Sequence, residues 1–277
     1  HTLFDDGENI IVYISTTALS NGNVLIAYLD TNSGYSTGNG YFVVYDASGN
    51  EVVGSTVFMN GNVSFIDTTT LTNGNVLIAC RDRTLESYFV IYDASGNEVV
   101  GPTVFHGNAS YISATALSNG NVFIAYRDGI SPSHGSFVIY DASGNEVLGS
   151  TVFDPAGSIL FISATTLSNG NVLIAYRYRV SNTSTLYYGK YVVYDKTGAL
   201  VTGPKVFKSG DETSYISATT LANGKALIAY QDRGNSYNGT FIILNTAELA
   251  LEKVSTNEVR LWNYTGETLD LFLTVHQ

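Results

Sequence analysis

From Tyr111 to Leu117 the chain alternates side chains with a period of two: Tyr111-Ile112-Ser113-Ala114-Thr115-Ala116-Leu117. That period predicts a β-strand. An Asn119-Gly120 turn follows, and Asn-Gly favours the positive φ angles of a tight hairpin. Asn121 to Tyr126 is a second, mostly apolar strand. A polar loop separates it from a third, Phe137-Val138-Ile139-Tyr140. The turn Asp141-Ala142-Ser143-Gly144-Asn145 leads into a fourth, Glu146 to Phe153. β-Branched and aromatic residues fill these strands. No stretch has a helical period of useful length.

The unit recurs five times. Its turn glycines are Gly22, Gly74, Gly120, Gly170 and Gly224, at spacings of 52, 46, 50 and 54 residues. Four short antiparallel strands, repeated about every 50 residues, predict the blades of a β-propeller. The first strand of each unit (A) carries Ser, Ala and Thr, small enough for the crowded axis. The fourth (D) is flanked by Gly101-Pro102 and Gly203-Pro204, which suits an outer edge.

Ser163-Ala164-Thr165-Thr166-Leu167, the run Ser168 to Ala175, and Tyr191 to Asp195 together resemble a Kelch or galactose-oxidase-type blade. The Gly-Gly doublet of that pattern is replaced by Tyr126-Arg127 and its equivalents. The strand-D tryptophan is replaced by Phe58, Phe105, Phe153 and Phe207. The resemblance implies architecture and no catalytic residues. The expected fold is all-β: a propeller of five four-stranded blades over residues 1–256, with six blades as the alternative. His1-Thr2-Leu3-Phe4 reads as the tail of a strand D that pairs with the last blade and closes the ring. Residues 257–277 read as a C-terminal β-hairpin around Thr265-Gly266, packed on the ring or on a partner. Arg260, Trp262 and Tyr264 are too bulky for an innermost strand. The plan is similar to that of tachylectin-type five-bladed lectins.

Composition narrows the function. Hydrophobic residues make up 44% of the 277, enough for a core. A formal net charge of −11 argues against nucleic acid, which needs a basic face, and against anionic membrane surfaces. No apolar run is long enough for membrane insertion. Cys80 is the only cysteine and stands where other units have Tyr28, Tyr126, Tyr176 and Tyr230. It reads as a small buried hydrophobe. Few cysteines among many Tyr, Asn, Gly and Thr lead to an expectation of a secreted, extracellular bacterial protein. The start at His1 fits removal of a leader.

Candidate chemistry concentrates after the second strand (B). Six of the seven arginines lie there, at Arg81, Arg83, Arg127, Arg177, Arg179 and Arg233, alternating with Asp30, Asp82, Asp128 and Asp232. Tyr35, Tyr187, Tyr188 and Tyr237 lie in the neighbouring B–C loops. These fourteen residues form the expected ligand-binding set: guanidinium and carboxylate groups for hydroxyls, aromatic faces for sugar C–H patches. The same residues also fit a ring of Arg–Asp pairs locking the blades. Tyr13, Phe65, Tyr111, Phe161 and Tyr215, at the starts of strand A, read as blade-packing residues. Asp46-Ala47-Ser48-Gly49-Asn50-Glu51 is half of a calcium loop by composition but reads as a hairpin turn. His106 and His134 read as loop histidines. Asp67 replaces a strand-A serine and is the one carboxylate placed to face the channel, where hydrolysis needs two. No catalytic residue, metal or cofactor is assigned.

The leading expectation is therefore a non-enzymatic, lectin-like propeller binding glycans or other polar surface ligands on its B–C/D–A loop face. A structural adhesin or filament subunit, self-associating through 257–277, is the alternative. A polysaccharide-degrading enzyme is the second.

Overall fold

The computed structural model describes Phe4, residues 10–31, 38–129, 133–155, 157–180, 187–210 and 213–245, and the backbone of three strands between 250 and 269. It is all-β. The first sheet is β1 (Ile10–Ala18), β2 (Val24–Thr31), β3 (Gly38–Tyr45) and β4 (Glu51–Asn60). The second is β5 (Ser64–Thr70), β6 (Val76–Arg81), β7 (Glu86–Tyr92) and β8 (Glu98–Gly107). The third is β9 (Ala109–Ala116), β10 (Val122–Asp128), β11 (Gly135–Tyr140) and β12 (Glu146–Asp154). The fourth is β13 (Ser158–Thr166), β14 (Val172–Arg179), β15 (Tyr187–Tyr194) and β16 (Leu200–Ser209). The fifth is β17 (Thr213–Thr220), β18 (Ala226–Asp232) and β19 (Asn238–Leu244). Each is an antiparallel meander in chain order.

The fifth sheet thus has three strands, not the four expected. The next strand, β20 (Ala250–Ser255), pairs with β21 (Glu258–Trp262), and β21 pairs with β22 (Thr268–Leu269). Those three form a separate sheet.

The A–B turns differ from the tight hairpin expected. Gly22 has φ +87 while Asn21 keeps negative φ, and Gly22 N–H bonds Leu19 C=O at 3.0 Å. This matches a type I turn closed by a glycine bulge, with the glycine alone left-handed. The C–D turns are held by their own aspartates. Asp46 accepts the N–H groups of Ser48 and Asn50 at 2.8 and 2.9 Å, and the Asn50 amide at 2.9 Å. Asp93 and Asp141 repeat this. These contacts hold each carboxyl below its usual range, the Asn side chain acting most. Among the described residues no cluster of metal ligands occurs.

Every sheet has two apolar faces, because alternate residues point to opposite sides. The forward face of the second sheet, Leu77, Ala79, Phe89 and Ile91, packs on the rear face of the third, Val122, Ile124, Tyr126 and Val138. The same core repeats between the first and second, third and fourth, and fourth and fifth sheets. A fully buried side chain of this size contributes about 1.5–3 kcal/mol. Cys80 is one of these core residues, and burial, helped by Asp82, pushes its thiol up to about 12.

The first strands line up in succession: β1 against β5, β5 against β9, β9 against β13, β13 against β17. They are stitched by the small polar side chains. Ser15 Oγ accepts the N–H of Thr68 at 3.1 Å, Ser113 Oγ that of Ala164 at 3.0 Å, and Ser163 Oγ that of Ala218 at 2.9 Å. Asp67 does the same for Ala114 at 2.7 Å.

Candidate functional site

Each strand A contains one extra residue opposite strand B. In the third sheet the pairing slips between Ala125 and Arg127. The residue at the slip is Tyr111, with φ +51. Tyr13, Phe65, Phe161 and Tyr215 have the same left-handed backbone, with φ between +51 and +53. Bulges of this kind usually place glycine there, and a bulky side chain at positive φ is an outlier. Here the bulge turns five rings toward one another. Consecutive centroids lie 5.9 Å apart for Tyr13–Phe65, 5.3 Å for Phe65–Tyr111, 5.5 Å for Tyr111–Phe161 and 5.3 Å for Phe161–Tyr215. The row crosses all five sheets. None of its rings is fully buried, and Tyr215 is 72% exposed. These aromatics do pack sheet to sheet, as expected. They also leave a continuous aromatic surface.

The arginines back this row. In β10, Phe123, Ala125 and Arg127 lie on the forward face, while Tyr126 and Asp128 lie on the rear. Arg81 and Arg177 hold the same position in β6 and β14. The first and fifth sheets have Leu29 and Gln231 there. The Arg81 guanidinium stands 4.7 Å from the Phe65 centroid, and Arg177 4.8 Å from Phe161. Arg81 donates to Asn108 Oδ1 at 3.1 Å, and Arg127 to Ser133 Oγ at 2.9 Å. Arg177 and Arg179 share the Tyr187 ring, at 5.0 and 5.3 Å. Tyr237 lies 5.8 Å from the Arg233 guanidinium on the exposed edge of the fifth sheet.

The aspartates go elsewhere. Asp128 meets His106 at 3.7 Å, and Asp232 meets Lys208 at 2.8 Å. Asp82 caps its own turn, accepting from Thr84 and Glu86. Arg83 is exposed in that turn. Asp30 lies in β2, paired in register with Ile11 and Asn39. Tyr188 packs beside Tyr178 at 6.2 Å. Tyr35 lies outside the described residues. The alternating Arg–Asp ring therefore splits in two, since neighbours along a strand face opposite ways. Asp128 and Asp232 each answer strand D of the preceding sheet.

A third boundary carries Asp154. It accepts from the Tyr176 hydroxyl at 2.9 Å and from Lys190 at 3.2 Å. Lys190 also lies 3.3 Å over the Tyr178 ring. His106 is the one imidazole among these partners. Its ring lies tilted against Tyr126, centroids 4.7 Å apart, and its Nδ1 is buried without a hydrogen-bond partner.

No family model matches the chain, and no curated protein matches it. Solved structures do. A protein of unknown function from Dyadobacter fermentans has TM-score 0.61 at 15% identity, over 86% of this chain and 79% of the other. A PL25 ulvan lyase, bound to a glucuronate–rhamnose-3-sulfate saccharide, has TM-score 0.56 at 11% identity, over 83% and 68%. An α-L-arabinanase of Penicillium chrysogenum, complexed with arabinobiose, has TM-score 0.55 at 14% identity, over 92% and 90%. At these identities the likeness is one of fold: repeated antiparallel sheets arranged as in propeller glycosidases and lyases. It corrects two expectations. The characterised neighbours degrade polysaccharides, so the lectin-like reading and the non-enzyme reading that went with it do not stand.

Proposed function

We propose that this protein is a polysaccharide-degrading enzyme whose glycan lies along the aromatic row. The row itself carries the reading: five rings partly open to solvent, with guanidiniums against Phe65 and Phe161. Aromatic faces cover the C–H patches of sugars, and planar guanidiniums bond their oxygens. The backbone holds these rings at positive φ in all five sheets, a conformation costing about 1–2 kcal/mol per residue. The shared fold of a polysaccharide lyase and an arabinanase supports it.

His106 is the proton-transfer group of this reading. Its Nε2 lies 3.7 Å from Asp128 Oδ2, and an imidazole beside a carboxylate can take up and return a proton, as general acid–base catalysis requires. Asp67 is not a candidate: its oxygens bond Ser15 and Ala114, the role of serine in the other sheets. A polysaccharide substrate fits an extracellular place of action.

The test is fragment release from a panel of neutral and acidic polysaccharides, followed by size-exclusion chromatography and a reducing-end assay. Shortening of at least one polymer is expected. No shortening of any polymer by folded protein would remove the reading.

A further inference from the structure

The arginines at equivalent positions in the second and third sheets are short of partners. Arg81 makes one side-chain hydrogen bond, to Asn108, and Arg127 one, to Ser133. The Nε of each is buried without a hydrogen-bond partner. Among the described residues neither makes an ion pair. The carboxylate next to Arg127, Asp128, faces the other side of its sheet. The two guanidiniums also act on each other. Partial burial holds Arg81 below the usual arginine range; the Arg127 charge adds to this, opposed by Tyr13 and Asp82. Two half-buried cations at equivalent positions of neighbouring sheets, each with an unpartnered Nε, are complementary to an anion.

We propose that Arg81 and Arg127 form an anion site on the aromatic row, taking a carboxylate or sulfate group of an acidic glycan. This rests on the reading of the row as the glycan site. Phe65 and Tyr111 would hold the sugar face beside it, and Asn108 and Ser133 would keep the two forks in place.

Calorimetric titration tests it with three oligosaccharides of equal length: an oligouronate, a sulfated neutral oligomer and an uncharged oligomer. An anionic oligomer is expected to bind at least about tenfold tighter than the uncharged one, and more weakly at high salt. Arg81→Gln and Arg127→Gln are each expected to remove that preference, and Arg81→Lys to restore part of it, with melting temperature held. Loss of affinity on protonating the oligomer identifies the carboxylate; insensitivity to pH identifies the sulfate. Equal affinity for the uncharged oligomer, or folded glutamine variants that keep the preference, overturns the proposal. Degradation of an uncharged polymer without anion preference would do so while leaving the enzyme reading intact. Anion binding without degradation of any polymer would do the reverse.

Discussion

His106 Nε2 lies 3.7 Å from Asp128 Oδ2 at the boundary of the second and third sheets, and the equivalent positions between the fourth and fifth sheets hold Lys208 and Asp232 at 2.8 Å. The repeat thus offers its own control. Lysine at position 106 would set a cation against Asp128, as Lys208 is set against Asp232, and remove the imidazole. His106→Lys is expected to keep the melting temperature within a few degrees. Fragment release should fall by at least about a hundredfold, the scale of general acid–base catalysis. Unchanged release in the variant would make the pair purely structural.

Asp67 predicts a pH effect. Burial pushes its carboxyl up to about 6, against hydrogen bonds from Ala114 and Ser15 that favour the ionised form. A group with a folded pKa above its unfolded value binds protons more tightly when folded. Its ionisation therefore costs stability above about pH 6, and that cost vanishes as pH falls toward about 4. The gain is about 2–3 kcal/mol. Asp46, Asp93 and Asp141, whose carboxyls are held low, act oppositely, below about pH 4. In Asp67→Ser, denaturant unfolding between about pH 5 and 7.5 should lose this rise, with Ala114 N–H still satisfied by a hydroxyl as in the other sheets.

The glycines divide sharply by what lies above them. A β-carbon on Gly135 would meet the Phe153 ring at 2.3 Å, while one on Gly203 meets nothing. Gly135→Ala is expected to cost about 1–3 kcal/mol by overpacking. Gly203→Ala should be neutral or stabilise by up to about 1 kcal/mol, by restricting the unfolded chain. Chemical denaturation of both variants reads the difference.

The left-handed tyrosine at 111 allows a comparison of side chain and backbone. Tyr111→Gly removes two ring contacts, 5.3 Å from Phe65 and 5.5 Å from Phe161, but relieves the positive φ. Tyr111→Val removes them and keeps a β-branched residue where one is least tolerated. The valine variant is expected to be the less stable by about 1 kcal/mol or more. Both should lose glycan affinity, which equilibrium binding would show.

The sheets were legible because their signals are local. An Asn-Gly turn and a run such as Val172 to Tyr176 each act within a few residues and recur five times, and an Asp-x-Ser turn recurs three times. The site was legible only in part. Arg81, Arg127 and Arg177 stand out by count, yet their separation from Asp82 and Asp128 follows from strand alternation, which a cluster in sequence conceals. Asn108 gave no signal as the partner of Arg81. The turned-out rings at Tyr13, Phe65, Tyr111, Phe161 and Tyr215 gave none either, since positive φ at a non-glycine residue leaves no mark in composition. Enzyme and lectin propellers present the same surface types, so residue chemistry alone did not separate them.

The forward-face position after strand B reads leucine, arginine, arginine, arginine, glutamine from the first sheet to the fifth. A perfect repeat would look the same from every blade. This one has a head and a tail. A polymer laid along it meets the residues in one order, and the reversed polymer meets them in another. For a glycan lying on this row, as proposed, the unequal ends would add to the difference in energy between its two orientations.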